Sequence, residues 1–213
     1  MSKRILLAVI LVLGIFVAAA TATPGRLDKN GGHKDSVTGI YHYHRGPNAI
    51  QPYDFRINSI YRARVIRVVD GDTAIFTLML GDGNIYKDES TRFIGVNTPE
   101  TVHPNKPVEY YGKEASNFTK SQLKQDQIVW LQTDVSARDR YGRLLAYIWL
   151  KEPSEKDLNN EKSIRKNMFN ARLLLDGYAQ TMTVQPTTRY ADMFAKFQRE
   201  ARENNKGLWA GEK

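Results

Sequence analysis

At 213 residues the chain has room for one well-buried domain with appendages and not for two large ones. A net charge of +8 and a pI near 9.6 point to polyanionic partners, nucleic acid ahead of an anionic membrane. Hydrophobic residues at 41% with a mean hydropathy of -0.49 exclude a disordered chain, and the absence of cysteine excludes disulfides, thiolate zinc sites and lipid attachment at a cysteine.

The chain opens on a targeting signal, residues 1–22. Lys3 and Arg4 supply the charged start, and Ile5 to Ala20 are uninterruptedly apolar or small. Ala20-Thr21-Ala22 fits a small-residue cleavage site, with cleavage expected after Ala22 and Ala20 as the second candidate. The run is short for a membrane span; the alternative is an uncleaved anchor across a thin membrane. Loss of Lys3 and Arg4 lowers the net charge to about +6, still basic.

Residues 23–59 form a polar, glycine-rich segment and linker without amphipathic period. It carries Gly31-Gly32-His33 and Tyr41-His42-Tyr43-His44, which resembles small Tyr-His-Tyr-His motifs of exported bacterial proteins. Imidazoles at i and i+2 on an extended chain point the same way, so His42 and His44 with His33 make a candidate site for zinc or another transition metal. The other reading is a leader that packs on the core or binds the cell envelope.

The core domain, 60–210, starts with strand-like sequence. Arg62 to Val69 is rich in β-branched residues, and Ala74 to Leu80 continues after an Asp70 to Thr73 turn. Gly81-Asp82-Gly83-Asn84 predicts a hairpin returning through Ile85 and Tyr86 toward a strand at Thr91 to Val96. A helix is predicted over Val108 to Lys124, with Tyr111, Ala115 and Phe118 on one face. Strand character resumes at Ile128 to Gln132 and Leu144 to Leu150. After a charged insertion, Lys151 to Lys162, a helix is expected from Ser163 as N-cap to Gly177 as stop. Thr181 to Gln185 reads equally as strand or loop. A last helix over Thr188 to Asn204 presents Tyr190, Met193, Phe194, Phe197 and Ala201 as its core stripe. Five short strands interrupted by one helix and followed by two more give an α+β fold: a five-stranded oligonucleotide-binding (OB-fold) β-barrel with three helices packed outside.

Three runs place acids and arginines in order: Asp70-Gly71-Asp72-Thr73; Arg92-Phe93-Ile94-Gly95-Val96-Asn97-Thr98-Pro99-Glu100; and Asp139-Arg140-Tyr141-Gly142-Arg143. A phosphodiester is already anionic and resists attack, so a catalyst supplies positive charge, a hard cation on oxygen ligands and a base for water. The runs offer these parts. Singly, Asp-Gly is a favoured turn pair and each arginine reads as a solvated surface charge.

In combination the chain resembles the staphylococcal nuclease, or thermonuclease, family across Tyr61 to Trp209. The match includes His103-Pro104, Tyr111-Gly112, Glu114-Ala115-Ser116 and Arg143-Leu144-Leu145-Ala146-Tyr147. The resemblance implies a calcium-dependent phosphodiesterase that acts on DNA and RNA with little sequence preference and leaves 3′-phosphates. It implies that Asp72, Asn97 and the carbonyl of Thr98 hold calcium, with Asp70 behind them, and that Glu100 is the general base. Arg92 and Arg143 match the phosphate-binding arginines. A guanidinium is planar, bidentate and charged at every working pH, which suits that work.

The departures are equally informative. The staphylococcal protein has an aspartate at the position of Asn97; an amide keeps an oxygen donor but removes one charge from the ion, so weaker calcium binding is expected. Tyr141 matches a tyrosine near the phosphate and Arg140 replaces a lysine, whereas the base-packing tyrosines have Thr183 and Gln185 in their places, leaving Tyr178 or Tyr190 as substitutes. Lys87 and Lys106 are candidate contacts to a bound strand. Expected partners are therefore DNA and RNA, with no protein partner evident, a monomeric state, an envelope or extracellular location, and at most a transient membrane anchor. The rival readings are a catalytically silent nucleic-acid-binding barrel, favoured only by Asn97, and an envelope metal or polyanion binder built on the histidine segment.

Overall fold

The structure, a computed structural model, describes residues 32–34, 41–43, 55–80, 85–101 and 107–211. The expected signal, residues 1–22, lies outside the described residues, as do His44 and Lys106. No helix among the described residues is long and apolar enough to cross a membrane.

Two short strands, β1 (Gly32–Lys34) and β2 (Tyr41–Tyr43), pair antiparallel, with His33 opposite His42 in the backbone register. The main body is a closed barrel in the order β3 (Ile60–Asp70), β4 (Thr73–Leu80), β5 (Ile85–Phe93), β8 (Leu144–Trp149), β7 (Ile128–Gln132), with β7 returning to β3. All contacts are antiparallel except β5 with β8. Alternation drives the closure: Ala63, Val65, Ala74, Phe76, Leu78, Val129, Leu131, Leu144 and Ala146 are fully buried, while intervening residues on β3 face out. The five-stranded OB-type barrel is thus present as read.

Among the described residues four α-helices pack around it: α1 (Gly112–Gln122), α2 (Glu161–Asn167), α3 (Phe169–Leu175) and α4 (Ala191–Glu203). The single helix expected from Ser163 to Gly177 is therefore two. Met168 adopts an extended conformation and bridges to Trp149 at the end of β8, so the chain leaves helical geometry for one residue to cap the barrel edge. The N-cap is Asn160, whose side chain accepts from Ser163 N at 3.1 Å, and Ser163 is three residues inside.

The strand expected through Val96 also divides. Gly95, at φ 78°, turns the chain out of the barrel, and a Cβ there would stand 2.6 Å from the Phe194 ring. The turn releases β6 (Gly95–Asn97) to pair with β9 (Gln180–Met182), so the stretch Thr181 to Gln185 that read equally as strand or loop is strand through Met182 and leaves the strand after it. Buried Asn170 fastens this corner, donating to Ile94 O at 2.8 Å and accepting from Ile148 N at 2.8 Å. Over the outside of β8, Tyr147 packs edge-on against Tyr190 and Phe194, and Trp149 donates to Gln132. The helical layer thus holds β6 and β9 beside the open end of the barrel.

Candidate active site

The β3–β4 turn, the loop after β6 and the 139–143 turn meet at one cleft of ≈380 Å³, lined by Asp70, Asp72, Arg92, Asn97, Thr98, Glu100, Glu109, Arg143 and Met182, among others. Residues from all three sequence runs are together there.

The acid side rests on a buried turn. Asp70 accepts from Gly71 N at 2.8 Å and from the Thr101 hydroxyl, so its carboxylate ties the turn to the loop beyond Glu100. Gly71 is required by close approach: a Cβ would lie 2.6 Å from Thr98 Oγ1. Its carbonyl accepts from Thr119 Oγ1 of α1 at 2.6 Å, which pins the turn from below. Asp72 is 7% exposed and its Oδ2 accepts from Thr98 N at 2.8 Å and Thr98 Oγ1 at 3.2 Å. These bonds fold the 97–98 segment back onto the turn.

Arg92 closes the middle of the cleft. It reaches Asp72 Oδ2 at 2.6 Å and donates to Asn97 Oδ1 at 2.9 Å. One guanidinium therefore spans the carboxylate and the amide oxygen that the sequence nominates as cation ligands. Asp72, Asn97 and the Thr98 carbonyl form an all-oxygen set with one full charge, a composition that fits a hard cation able to keep water ligands. Among the described residues no three His, Cys, Asp or Glu side chains converge as a metal cage.

Glu100 is half-buried, and its backbone is paired on both sides with Glu109: Glu100 N donates to Glu109 Oε2 at 3.0 Å, and Glu109 N donates to Glu100 O at 3.0 Å. Glu109 is a residue that sequence reasoning missed. The sequence places it in the first turn of the helix predicted from Val108, whereas α1 begins only at Gly112 and leaves Glu109 in the loop before it.

The arginine side has its own foundation. Asp139 Oδ1 accepts from Tyr141 N and Arg143 N, both at 2.9 Å, and Asp139 Oδ2 accepts from Arg143 Nε at 2.7 Å. Beneath this turn Arg138 and Glu89 form a bidentate pair at 2.8 and 2.9 Å with both side chains under 9% exposed, and Arg138 also donates to Gly142 O at 2.7 Å. Glu89 lies three residues before Arg92 on β5. The pair therefore ties the turn that carries Arg143 to the strand that carries Arg92, and neither residue was among the sequence candidates.

An adjoining groove of ≈580 Å³ shares Arg92, Arg143 and Met182 with the cleft and adds Arg140, Tyr141, Leu145, Val184, Gln185 and Pro186. Arg140 stacks over the Tyr141 ring at 4.7 Å and donates to its hydroxyl at 2.6 Å. Neither proposed substitute tyrosine faces this groove. Tyr190 is 2% exposed, and Tyr178 is stacked between Phe118 and Tyr111 on the α1 side. Core packing claims both rings, so aliphatic side chains and Tyr141 line the groove.

Comparison with known proteins agrees with this geometry. The model of the family described as staphylococcal nuclease homologue matches residues 90–211. The chain is 42% identical over 147 residues to a thermonuclease of Staphylococcus hyicus, covering 69% of this chain and 75% of that protein. It is 41% identical over 145 residues to a thermonuclease of Staphylococcus intermedius, covering 68% and 74%. Over 215 residues it is 30% identical to endonuclease YncB of Bacillus subtilis, covering 98% of this chain and 92% of that one.

Proposed function

The chain belongs to the staphylococcal nuclease family and is a hydrolase of phosphodiester bonds; from that premise we propose that it is an exported, calcium-dependent nuclease that cuts DNA and RNA with low sequence specificity and leaves 3′-phosphates. The observation that carries the reading is the meeting of Arg92, Glu100 and Arg143 around one cleft with the oxygen donors Asp72, Asn97 and Thr98.

The chemistry follows from those positions. Arg92 and Arg143, which line the same cleft, hold the non-bridging phosphate oxygens and take up charge as the water oxygen bonds to phosphorus and the P–O5′ bond breaks, the departing 5′ oxygen taking a proton from solvent. Glu100 accepts the proton of the attacking water, and its backbone pairing with Glu109 keeps it aimed into the cleft. Asp72, Asn97 and the Thr98 carbonyl would hold calcium, which would supply further positive charge to the phosphate and lower the pKa of nearby water. To serve phosphate, the Arg92 guanidinium turns away from Asp72 and Asn97, whose oxygens it now spans.

Export rests on the apolar N-terminal run with its small-residue end. A transition-metal site at His33, His42 and His44 is part of the same proposal and rests on the spacing of the histidines in the sequence.

The test is digestion of plasmid and of RNA with calcium and with chelator, followed by end-group analysis. Calcium-dependent cleavage of both with 3′-phosphate ends is expected; chelator-resistant cleavage or 5′-phosphate ends would overturn the reading. Glu100→Gln should remove most turnover while leaving binding of an inert nucleotide nearly intact, and wild-type turnover in that variant would refute its role as base.

A further inference from the structure

The exposed face of β3 carries charge that the cleft does not use. Arg62, Arg64 and Arg67 are all exposed, although strict alternation would place Arg67 on the opposite face from the other two. A register shift between Val65 and Arg67 resolves the parity: the bulge inserts one residue, returns Arg67 to the outside, and is followed by Val69, which lines the catalytic cleft. The three guanidinium groups thus form a row along one strand that runs directly into the active site. Arg62 to Val69 spans about 20 Å.

The surroundings favour a polyanion. Arg62 stands opposite Trp130 on β7 and its Nη1 donates to Met79 Sδ on β4 at 3.0 Å; Arg64 stands opposite Ile128 and Thr77, and Arg67 opposite Ile75. None of these neighbours carries a charge. Among the described residues acids touch the row only at Arg64, which stands 3.9 Å from Asp126 in a pair with both side chains largely exposed, a contact that solvent and salt screen. Among the described residues Arg67 has no ion-pair partner. Consecutive outward residues on a strand stand about 6.6 Å apart, close to the phosphate repeat of an extended single strand, and Trp130 and Ile128 flank the row with apolar surface suited to bases.

We propose that the Arg62–Arg64–Arg67 row on β3 is a track for the substrate strand leading away from the scissile phosphate, so that the enzyme holds single-stranded nucleic acid of several nucleotides better than short fragments. The inference rests on the nuclease reading above and adds to it a site remote from the chemistry. Charge complementarity and continuity with the cleft identify the occupant. The arginines read no base, so the track adds affinity and not sequence preference.

The test separates the track from the active site. Binding of a labelled single-stranded oligonucleotide of about 20 residues is followed by anisotropy in chelator across a salt series, and cleavage of that strand is compared with cleavage of a trinucleotide in calcium. Each neutralised phosphate contact contributes about 0.7 to the slope of log K against log salt for single strands. Arg62→Gln/Arg64→Gln/Arg67→Gln should therefore flatten the slope by about 2, lower kcat/KM on the long strand at least tenfold, and leave trinucleotide cleavage at its wild-type rate. Replacement of all three by lysine should restore most of the slope. An unchanged slope, or equal loss on both substrates, overturns the track. If the triple variant folds poorly, single variants at each position decide the matter in the same way, each expected to flatten the slope by about 0.7. Failure of the wild type to cut either substrate would strike the nuclease reading instead, because the anisotropy arm needs no turnover.

Discussion

On one wall of the cleft, Asp70 and Asp72 sit in a tight turn whose carboxylates are occupied by backbone amides, hydroxyls and one guanidinium. On the other, Arg143 stands on a turn of similar length whose footing is a buried ion pair to a strand 49 residues earlier in sequence. The first wall is buried too, but it is anchored by neutral donors as well as by Arg92, so Asp72 keeps its bonds to Thr98 when a cation takes the place of the guanidinium. The second has both charges removed from water, so its partners must stay together. The difference separates a site that admits a variable occupant from one that fixes a geometry.

The largest effect should come from deleting the working group on the fixed wall. Arg143→Ala is expected to cost roughly 10²-fold or more in kcat, by analogy with loss of an oxyanion donor, with calcium affinity unchanged in calorimetry. A parallel loss of calcium binding would mean that the two walls are not separable. Next is the footing itself. Arg138→Met leaves Glu89 buried without its bidentate partner and should cost about 3–5 kcal/mol in denaturant unfolding. Glu89→Leu with Arg138→Met should recover most of that stability while turnover stays low, because the Gly142 carbonyl has lost its donor. Full recovery of both would show that the pair does nothing for Arg143.

On the exchangeable wall, Asn97→Asp restores a charge to the oxygen set and should tighten calcium roughly tenfold. It also strengthens the contact with Arg92, so affinity that is unchanged or weaker would show that the guanidinium wins the competition. The smallest effect is expected far from both walls. Hydrogen bonds from the Ser154 and Ser163 hydroxyls pull the Asp157 carboxyl down to about 2. A depressed folded-state pKa contributes stability that is present above about pH 4 and is lost as pH falls through about 2. Thermal melts of wild type and Asp157→Asn should differ slightly at neutral pH and converge between about pH 4 and 2; a gap that persists below that range would assign it to something other than this charge.

Much of the fold was legible because periodicity reports burial. The strands of the barrel and the stripe of α4 follow from alternation and from 3.6-residue spacing, and Phe194 and Phe197 are buried where the stripe placed them. What escaped is what depends on a partner distant in sequence. The break at Met168 arises from a bridge to Trp149, and no local signal near Ser163 announces it. The choice of Asn160 over Ser163 as the cap of α2 is local, a bond three residues long, but asparagine and serine serve equally well at that position, so composition does not choose between them.

The candidate site divides in the same way. Asp72, Arg92, Glu100 and Arg143 were visible as types in order, because phosphodiester chemistry demands those groups and few others. Glu109, Arg138 and Glu89 were invisible: a surface glutamate and a buried one look alike in sequence, and only a partner across the barrel keeps either charge in place. The same holds for Tyr178 and Tyr190, which composition offers to a base and packing withdraws.

The sequence by itself determined the barrel's strands, the family and the residue types proposed to meet a phosphate, since each is written in local spacing or in residue type. Tertiary structure alone decided that Arg92 spans the oxygens of Asp72 and Asn97, that a buried pair carries Arg143, and that a single bulge brings Arg67 into line with Arg62 and Arg64. All three are relations between residues on different strands or across a register shift. Such relations come into being only when closure of the barrel fixes which residues stand opposite one another.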